Sequence, residues 1–247
     1  MRFAVLADIH GNALALEAVL RDMDKLDLST AVNLGDFFSG PLEAGRTASL
    51  LMERGFPSIR GNHDRYLIEQ DPSEMGPSDK AAFDQLDQVH LDWIAGLPKT
   101  LTVFNDVFLC HGTPASDSTY WLEHVEQNGA VRSATMEEIQ TEAEGVEASL
   151  ILCAHTHIPR CVRLPDGRTI VNPGSVGCPA YDDDRPVYHH MQTGTPNASY
   201  AVIKGQDSTW AIDLRSVPYF ADKASQLAAR NGRPDWARSL ATGWFRS

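Results

Sequence analysis

Five short clusters of metal-capable side chains punctuate the chain: Asp8-Ile-His10, Gly35-Asp36, Gly61-Asn-His-Asp64, His111-Gly112 and His155-Thr-His157. Each falls where a β-strand is predicted to end. In open α/β sheets, ligands bind beyond the carboxyl ends of the strands, so all five clusters are placed to face one site. In extended chain, residues i and i+2 point the same way, which lets Asp8 with His10, and His155 with His157, each aim two donors at one place. Five of the nine histidines lie in these clusters; His90, His124, His189 and His190 lie outside them. Oxygen and nitrogen donors without sulfur suit manganese, iron, zinc, cobalt or nickel. Taken singly, Asp8 or Asp36 reads as a helix cap or a turn residue, and His111 as a satisfied, partly buried histidine. Their recurrence at successive strand ends favours a metal centre over coincidence. The glycines at 35, 61 and 112 suit the sharp turns needed there.

The elements that must position these clusters follow from the apolar pattern. Phe3-Ala-Val-Leu-Ala7 is a run of strand length, and Leu14, Leu16, Val19, Leu20 and Met23 then recur at nearly helical spacing over residues 12–24. A strand at 31–34, a helix at 42–54 and a strand at 56–59 complete a βαβαβ first part. Residues 78–96 are predicted to form one helix through Phe83, Leu86, Val89 and Ile94, before strands at 100–104 and 107–111 joined around Asn105-Asp106. Residues 113–148 are polar with a helix near 134–145, residues 149–153 form a buried strand, and Asp166-Gly167 marks a hairpin between 160–164 and 168–172. The stretch 178–198, rich in Pro, Asp, Gly and Thr, is expected to be a long surface loop, a kind of segment that is uncommon unless functional. Strands at 199–204 and 209–215 follow. Phe220, Ala224, Leu227 and Ala228 mark one helical face and Trp236, Leu240 and Trp244 another, both expected to pack on the sheet. The fold class is therefore α/β, a two-sheet sandwich with helices outside, with residues 1–217 as one domain and 218–247 as a helical extension packed on it.

Composition narrows the partners. The 247 residues fit one large domain with an appendage, and 43% hydrophobic against 22% charged residues excludes a disordered or fibrous chain. With 33 acidic and 21 basic residues the formal net charge is -12, so a broad cationic surface for nucleic acid is not expected. A small anionic substrate would need its positive charge from bound divalent cations. Cys110, Cys153, Cys161 and Cys178 show no CxxC spacing, which argues for a reducing compartment, against a thiolate zinc site, and for cysteines acting as small apolar residues. Met1-Arg2 leads straight into a strand rather than a signal peptide, and no run reaches the roughly 20 apolar residues of a membrane span. The expected location is the cytoplasm, with no membrane partner and an oligomeric state that the sequence leaves open.

Taken together, Asp8-x-His10, Gly35-Asp36, Gly61-Asn62-His63-Asp64, His111 and Ala154-His155-Thr156-His157 resemble, in order and spacing, the signature of the calcineurin-like metallophosphoesterase superfamily. The resemblance spans roughly residues 1–215, and Asn172-Pro-Gly-Ser-Val-Gly177 is similar to a segment of its small bacterial and archaeal members. It implies a four-layer α/β/β/α sandwich of two mixed sheets. It also implies two divalent metal ions, manganese favoured, one on Asp8, His10, Asp36 and His157 and the other on Asp36, Asn62, His111 and His155. Asp36 would bridge them, since a carboxylate has two oxygens whereas an imidazole ligates through one nitrogen. His63 would be free to contact the phosphoryl group, with Asp64 beside it as a catalytic partner and Asn62 and Arg60 touching substrate.

The implied reaction is hydrolysis of small phosphomonoesters or phosphodiesters, nucleotide-derived ones among them, by in-line attack of metal-activated hydroxide. His63 would stabilise the transferring group and protonate the leaving oxygen, an effect worth on the order of 100 to 10,000-fold. Two departures bear on this. Ala154 stands where the family usually has glycine, and Ser39 and Gly40 stand where the phosphoprotein-phosphatase branch has aspartate and arginine. A Ser/Thr phosphoprotein phosphatase is thus the second expectation. A non-catalytic scaffold of the same fold is the expectation from another class, against which every expected ligand is retained; the acidic composition disfavours a metal-dependent nuclease.

Other features read more plainly. Arg60 is balanced between a phosphate contact and a solvated residue. Tyr120-Trp121 is expected to pack in the core rather than stack on a substrate, Asp182-Asp-Asp184 to be a solvated run, and His189-His190 to be exposed.

Overall fold

Arg2–Leu6 forms β1, where the two-residue alternation of a strand sends Phe3 and Val5 to one face and Ala4 and Leu6 to the other, all four buried. A strand buried on both faces must lie inside a layered structure. The structure, a computed structural model, describes residues 1–206 and 209–245. After β1 come α1 (Ala13–Lys25), β2 (Ala31–Asn33), α2 (Ala44–Arg54), α3 (Asn62–Glu69), α4 (Pro77–Phe83) and α5 (Gln88–Ala95). The middle of the chain holds β3 (Leu101–Val103), β4 (Val107–Leu109), β5 (Glu123–Val125), β6 (Val131–Ser133), α6 (Met136–Glu142), β7 (Leu150–Leu152), β8 (Arg160–Arg163) and β9 (Thr169–Asn172). It ends with β10 (Ala180–Asp183), β11 (His189–Gln192), β12 (Ala198–Gln206), β13 (Thr209–Val217), α7 (Ala221–Arg230) and α8 (Pro234–Thr242).

Two mixed sheets stack face to face. The first has the order β13-β12-β1-β2, with β1 parallel to β2 and antiparallel to β12; the second has the order β3-β4-β7-β9-β8, with β4, β7 and β9 parallel. Phe3, Val5 and Val32 of the first sheet meet Val107, Leu109, Leu150 and Leu152 of the second between the layers. On the outer face of the first sheet, Ala4 and Leu6 pack under Leu16, Val19 and Met23 of α1. On the outer face of the second, Ile151 and Ile170 pack under Ile139 and Ala143 near α6, with Trp121. The result is the four-layer α/β/β/α sandwich. Each fully buried Leu, Val or Phe contributes about 1.5–3 kcal/mol, so these three seams set the layer order.

Several expectations need correction. Residues 78–96 are two helices rather than one, broken at 84–87, and Val89 is 56% exposed. Residues 56–59 make only an isolated bridge from Asn33 to Ser58, and the polar stretch 113–148 contains the β5–β6 hairpin. The stretch 178–198 is not a long loop: β10 and β11 pair antiparallel within it, and Cys178, Ala180, His189 and Met191 are buried. Its polar residues fill the outward face of a hairpin and mask the short apolar face. The tail helices pack through Ala224, Ala228 and Leu240 against Leu42 and Leu14, and α8 also lies against β10, where Ser239 Oγ donates to Ala180 O, while Phe220 and Trp244 are exposed. No described helix is long and apolar enough to cross a membrane.

Candidate metal centre

The loop after β1 is held by its neighbours rather than by its own residues. Asp8 N–H donates to Gly35 O, Ile9 and His10 N–H both donate to Asp36 O, and Gly11 N–H donates to Phe37 O, all at 2.9–3.1 Å. From the second sheet, the segment after β9 reaches across: Val176 N–H donates to Ala7 O, and Gly177 N–H and Ser175 Oγ both donate to Asp8 O. Gly177 lies so close that a Cβ there would sit 1.7 Å from Ile9 O. Asn172 Nδ2 in turn donates to Ala154 O and Thr156 Oγ1, bracing the loop that carries His155 and His157. That bracing is the physical role of the Asn172–Gly177 segment.

Asp8, His10, Asp36, His155 and His157 all have positive φ, between 51° and 69°. The paired donors therefore converge, but not as extended chain. Left-handed residues alternating with ordinary ones curl the backbone around the site. Each such non-glycine residue costs on the order of 1 to 3 kcal/mol, and residues held this way cluster at functional sites.

Three imidazoles are fixed alike. Nδ1 of His10, His111 and His157 lies 2.7 Å from the carbonyl oxygens of Ser39, Leu34 and Cys178 respectively. A carbonyl can only accept, so each Nδ1 carries the hydrogen and each Nε2 turns its lone pair inward, as in ligand histidines generally. His10 Nε2 and His157 Nε2 face each other at 3.2 Å. Two lone pairs cannot hydrogen-bond; a cation reconciles them. Both Asp8 oxygens, Asn62 Oδ1 and His111 Nε2 are likewise buried with no hydrogen-bond partner. Donor atoms of Asp8, His10 and His157 all lie within 4.8 Å of one another, as do those of Asp36, His111 and His155. Such donors fit a pair of cations.

Asp36 lies between the two sets. Its Oδ2 is 3.2 Å from His111 Nε2 and 4.0 Å from His10 Nε2, and its Oδ1 accepts the His63 N–H at 2.9 Å. Asp64 holds its backbone: Oδ2 accepts from Asp36 N and Gly61 N, and Oδ1 from Phe37 N, at 2.7, 2.9 and 3.0 Å. Asp64 is fully buried and does not line the cavity described below, so it positions Asp36 rather than acting on a substrate. Gly35 takes φ +100°, whereas Gly61 has an ordinary φ and is needed for space: a Cβ there would meet Asp36 Oδ1 at 2.2 Å.

Burial pushes the imidazolium forms down, to about 4 for His10, to about 3 for His155 and well below the usual range for His157. Those rings are neutral at ordinary pH, the form in which an imidazole can ligate a cation. Burial also raises the Asp8 carboxyl, to about 8, with the Asp36 charge adding to it. The Asp36 carboxyl resists burial because His111, His63 and His10 hold it well below the carboxylate range. Two buried carboxylates thus compete for one charge, and a divalent cation removes the competition. His111 is disfavoured as an imidazolium by burial, yet Asp36 and Asp8 raise it to about 10; a bound cation would take the place of that proton.

His10, Asp36, Asn62, His155 and His157 open into a cavity of about 460 Å³, within the usual size range for small-ligand sites, while Asp8 and His111 lie outside its lining. His63 lines it, with Nδ1 2.8 Å from Asp79 Oδ1 on α4. Burial opposes the His63 imidazolium, but Asp36 and Asp79 raise it to about 9. The sequence reading missed Asp79, because an aspartate in the first turn of a helix looks like ordinary N-terminal charge. Arg60 does not line the cavity, and its Nε has no hydrogen-bond partner. Trp121 is in the core, donating to Ile139 O, but Tyr120 is half-buried with its ring 4.9 Å from that of His155. His189, expected to be exposed, is 1% exposed and sits 3.0 Å from the Tyr120 hydroxyl. The Tyr181 hydroxyl lies 3.0 Å from both Tyr120 OH and His155 O. The 180–192 hairpin therefore supports the His155 loop.

Residues 1–195, well over half the chain, match the sequence model of the calcineurin-like phosphoesterase superfamily domain. The crystal structure of a metallophosphoesterase from Sphaerobacter thermophilus superposes with a TM-score of 0.77 at 23% identity, covering 99% of this chain and 100% of that one. A hypothetical protein from Pyrococcus horikoshii OT3 gives a TM-score of 0.77 at 18% identity, covering 98% of each chain. An uncharacterized protein of Methanocaldococcus jannaschii is 22% identical over 262 residues, 94% of each sequence. At these identities the structural likeness is one of fold.

Proposed function

The chain belongs to the calcineurin-like phosphoesterase superfamily, and on that footing we propose that it hydrolyses small phosphomonoesters or phosphodiesters at a dinuclear centre, with manganese the favoured ion. The observation that carries this reading is the facing pair of His10 and His157 Nε2 atoms beside the unpartnered Asp8 carboxylate, with Asp36 shared toward His111 and His155. Asp8, His10 and His157 would hold one cation, His111, His155 and Asn62 the other, and Asp36 would serve both. When bound, such cations supply Lewis acidity toward phosphoryl oxygens and lower the pKa of water.

The protein's own part is orientation and proton control. Backbone carbonyls fix the tautomers of His10, His111 and His157 before any ligand arrives, so little reorganisation remains. Asp79 engages His63 Nδ1, leaving Nε2–H to hydrogen-bond a phosphoryl or leaving-group oxygen. Turnover of bis-p-nitrophenyl phosphate, p-nitrophenyl phosphate, cyclic nucleotides, dinucleoside polyphosphates and a phosphopeptide by the manganese-loaded protein tests the proposal. Hydrolysis of small esters supports it, while a phosphopeptide turned over at least tenfold better would make the protein a phosphoprotein phosphatase. Absence of turnover, with less than one transition metal retained per chain, would make it a scaffold.

A further inference from the structure

The donors that line the cavity occupy one end of it, and the rest of its wall is unlike a phosphate-binding surface. Arg185 and Arg233 are the only lysine or arginine side chains among the described lining residues. Both are engaged. Arg233 directs Nε and Nη2 to Asp235 and Nη1 to Ser78 Oγ at 2.8 Å, and Arg185 Nε lies 3.8 Å from Asp184. Glu74, Asp182, Asp183 and Asp184 make the rim acidic.

Aromatic faces occupy much of what remains, from Tyr66, Tyr181, Trp236 and Phe245. Tyr181 stands closest to the donors, its ring centroid 4.6 Å from that of His157 but its hydroxyl tied to Tyr120 and His155 O; Trp236 follows, its centroid 6.0 Å from that of His10. Trp236 is only partly buried, and Gly40 makes room for it, since a Cβ there would approach the indole to 3.1 Å. The Arg233 guanidinium lies 5.8 Å from the Trp236 ring, so the clamp to Ser78 and Asp235 also steadies the indole. Helix α8, which carries Trp236, lies beyond residue 195, where the family match ends.

We infer that this wall is the subsite for the organic part of the substrate, and that it selects a planar group bearing no negative charge of its own, with Trp236 as the stacking face. The inference rests on the centre being a phosphoester hydrolase. The phosphoryl charge would be met by the cations and His63. Any further anion on the substrate would face the acidic rim, where Arg185, itself beside Asp184, stands against the carboxylates of Glu74, Asp182, Asp183 and Asp184, and like-charge juxtaposition is how a site rejects a competitor. Indole offers a planar group the largest stacking surface among side chains, and stacking of this kind tolerates many ring systems. Mononucleotides, cyclic nucleotides and aryl phosphates fit; polyphosphates and acidic phosphopeptides do not.

The test uses non-hydrolysable phosphonates on the manganese-loaded full chain, with binding measured by calorimetry. Phenylphosphonate should bind about tenfold tighter than methylphosphonate, and this ratio should fall to near one in Trp236→Ala. Trp236→Phe, which keeps an aromatic face and most of the packing, should retain most of the ratio. Adding a carboxylate, as in 4-carboxyphenylphosphonate, should cost about tenfold, and the Asp182→Asn, Asp184→Asn double variant should recover most of that loss. A phenyl-to-methyl ratio near one in the wild type, or one unmoved by Trp236→Ala, overturns the subsite even if esters are hydrolysed. A Trp236-dependent ratio in a protein that hydrolyses no ester leaves the subsite standing and overturns the proposed activity instead.

Discussion

His63 Nδ1 and Asp79 Oδ1 meet at 2.8 Å, joining the first turn of α3 to the first turn of α4 across the mouth of the site. Asp79 lines the cavity and engages His63 Nδ1, so its effect is expected to pass through that ring. Asp79→Asn should lower kcat about tenfold with little change in KM. In a His63→Ala background the same substitution should do almost nothing, because groups acting as one unit are not additive. An undiminished loss in that background would show that Asp79 acts elsewhere.

The same pair has a pH signature. Burial works against the His63 imidazolium, while Asp36 and Asp79 favour it, so the proton is retained to higher pH than in a free histidine. Removing the Asp79 charge lowers that affinity. The alkaline limb of the pH–rate profile should therefore move toward acid in Asp79→Asn. A limb that stays in place assigns it to another group.

Metal content and thermal stability should move together. The reconstituted protein should hold two manganese ions per chain, and Asp36→Asn should deplete both sites, whereas His10→Ala should deplete chiefly one. An ion present at a hundredfold excess over its Kd adds about 2.7 kcal/mol to stability. Chelation should then lower Tm by roughly 5–10 °C for each ion lost. Full retention of both ions by Asp36→Asn would remove it from its shared position.

Asp64→Asn keeps the shape of the brace but turns a donor toward one of three backbone N–H groups. We expect a loss of about 1–3 kcal/mol in denaturant unfolding, together with weaker manganese binding at Asp36. Lost stability with unchanged metal affinity would make the brace purely structural.

Away from the site, Asp22 accepts from Tyr200 OH at 2.6 Å and from Arg215 Nε at 2.8 Å, tying α1 to the β12–β13 edge. Burial would raise its carboxyl, but the bonds from Arg215 and Tyr200 hold it below the ordinary value. A depressed folded pKa stabilises the protein above the unfolded value, near pH 4, and that contribution is lost as pH falls through the folded pKa. Asp22→Asn should therefore cost roughly 1 kcal/mol at pH 7 and progressively less below pH 4. An equal cost at pH 7 and pH 3, read from Tm, would show that the charge is not what matters.

Much of this arrangement was legible in the sequence because ligand identity and strand position are local properties. Asp8, His10, Asp36, His111, His155 and His157 each follow a strand or a turn that the apolar pattern marks. The reason offered for their convergence was wrong: extended geometry was expected, and left-handed residues were found. Asp79 was invisible because its partner lies sixteen residues away, across a stretch to which the apolar pattern assigned no element. The β10–β11 hairpin was hidden because one strand face carries Asp182 and His190, and short strands paired to each other give too few alternating residues to outweigh a polar composition. Trp236 was recognised as helical and amphipathic, but only tertiary packing reveals that its face meets the cavity.

The tight fit of Gly177 against Ile9 has a consequence for how this protein can vary. One side of that fit belongs to the strand exit of the first sheet and the other to the strand exit of the second, so it acts as a gauge of their alignment. A slippage of a few tenths of an ångström anywhere in the sandwich must be absorbed there, next to Asp8. Substitutions deep between the layers, at Val5 or Leu152, should then be filtered for dimensional tolerance as strictly as the ligands are filtered for chemistry, though neither residue comes near a substrate.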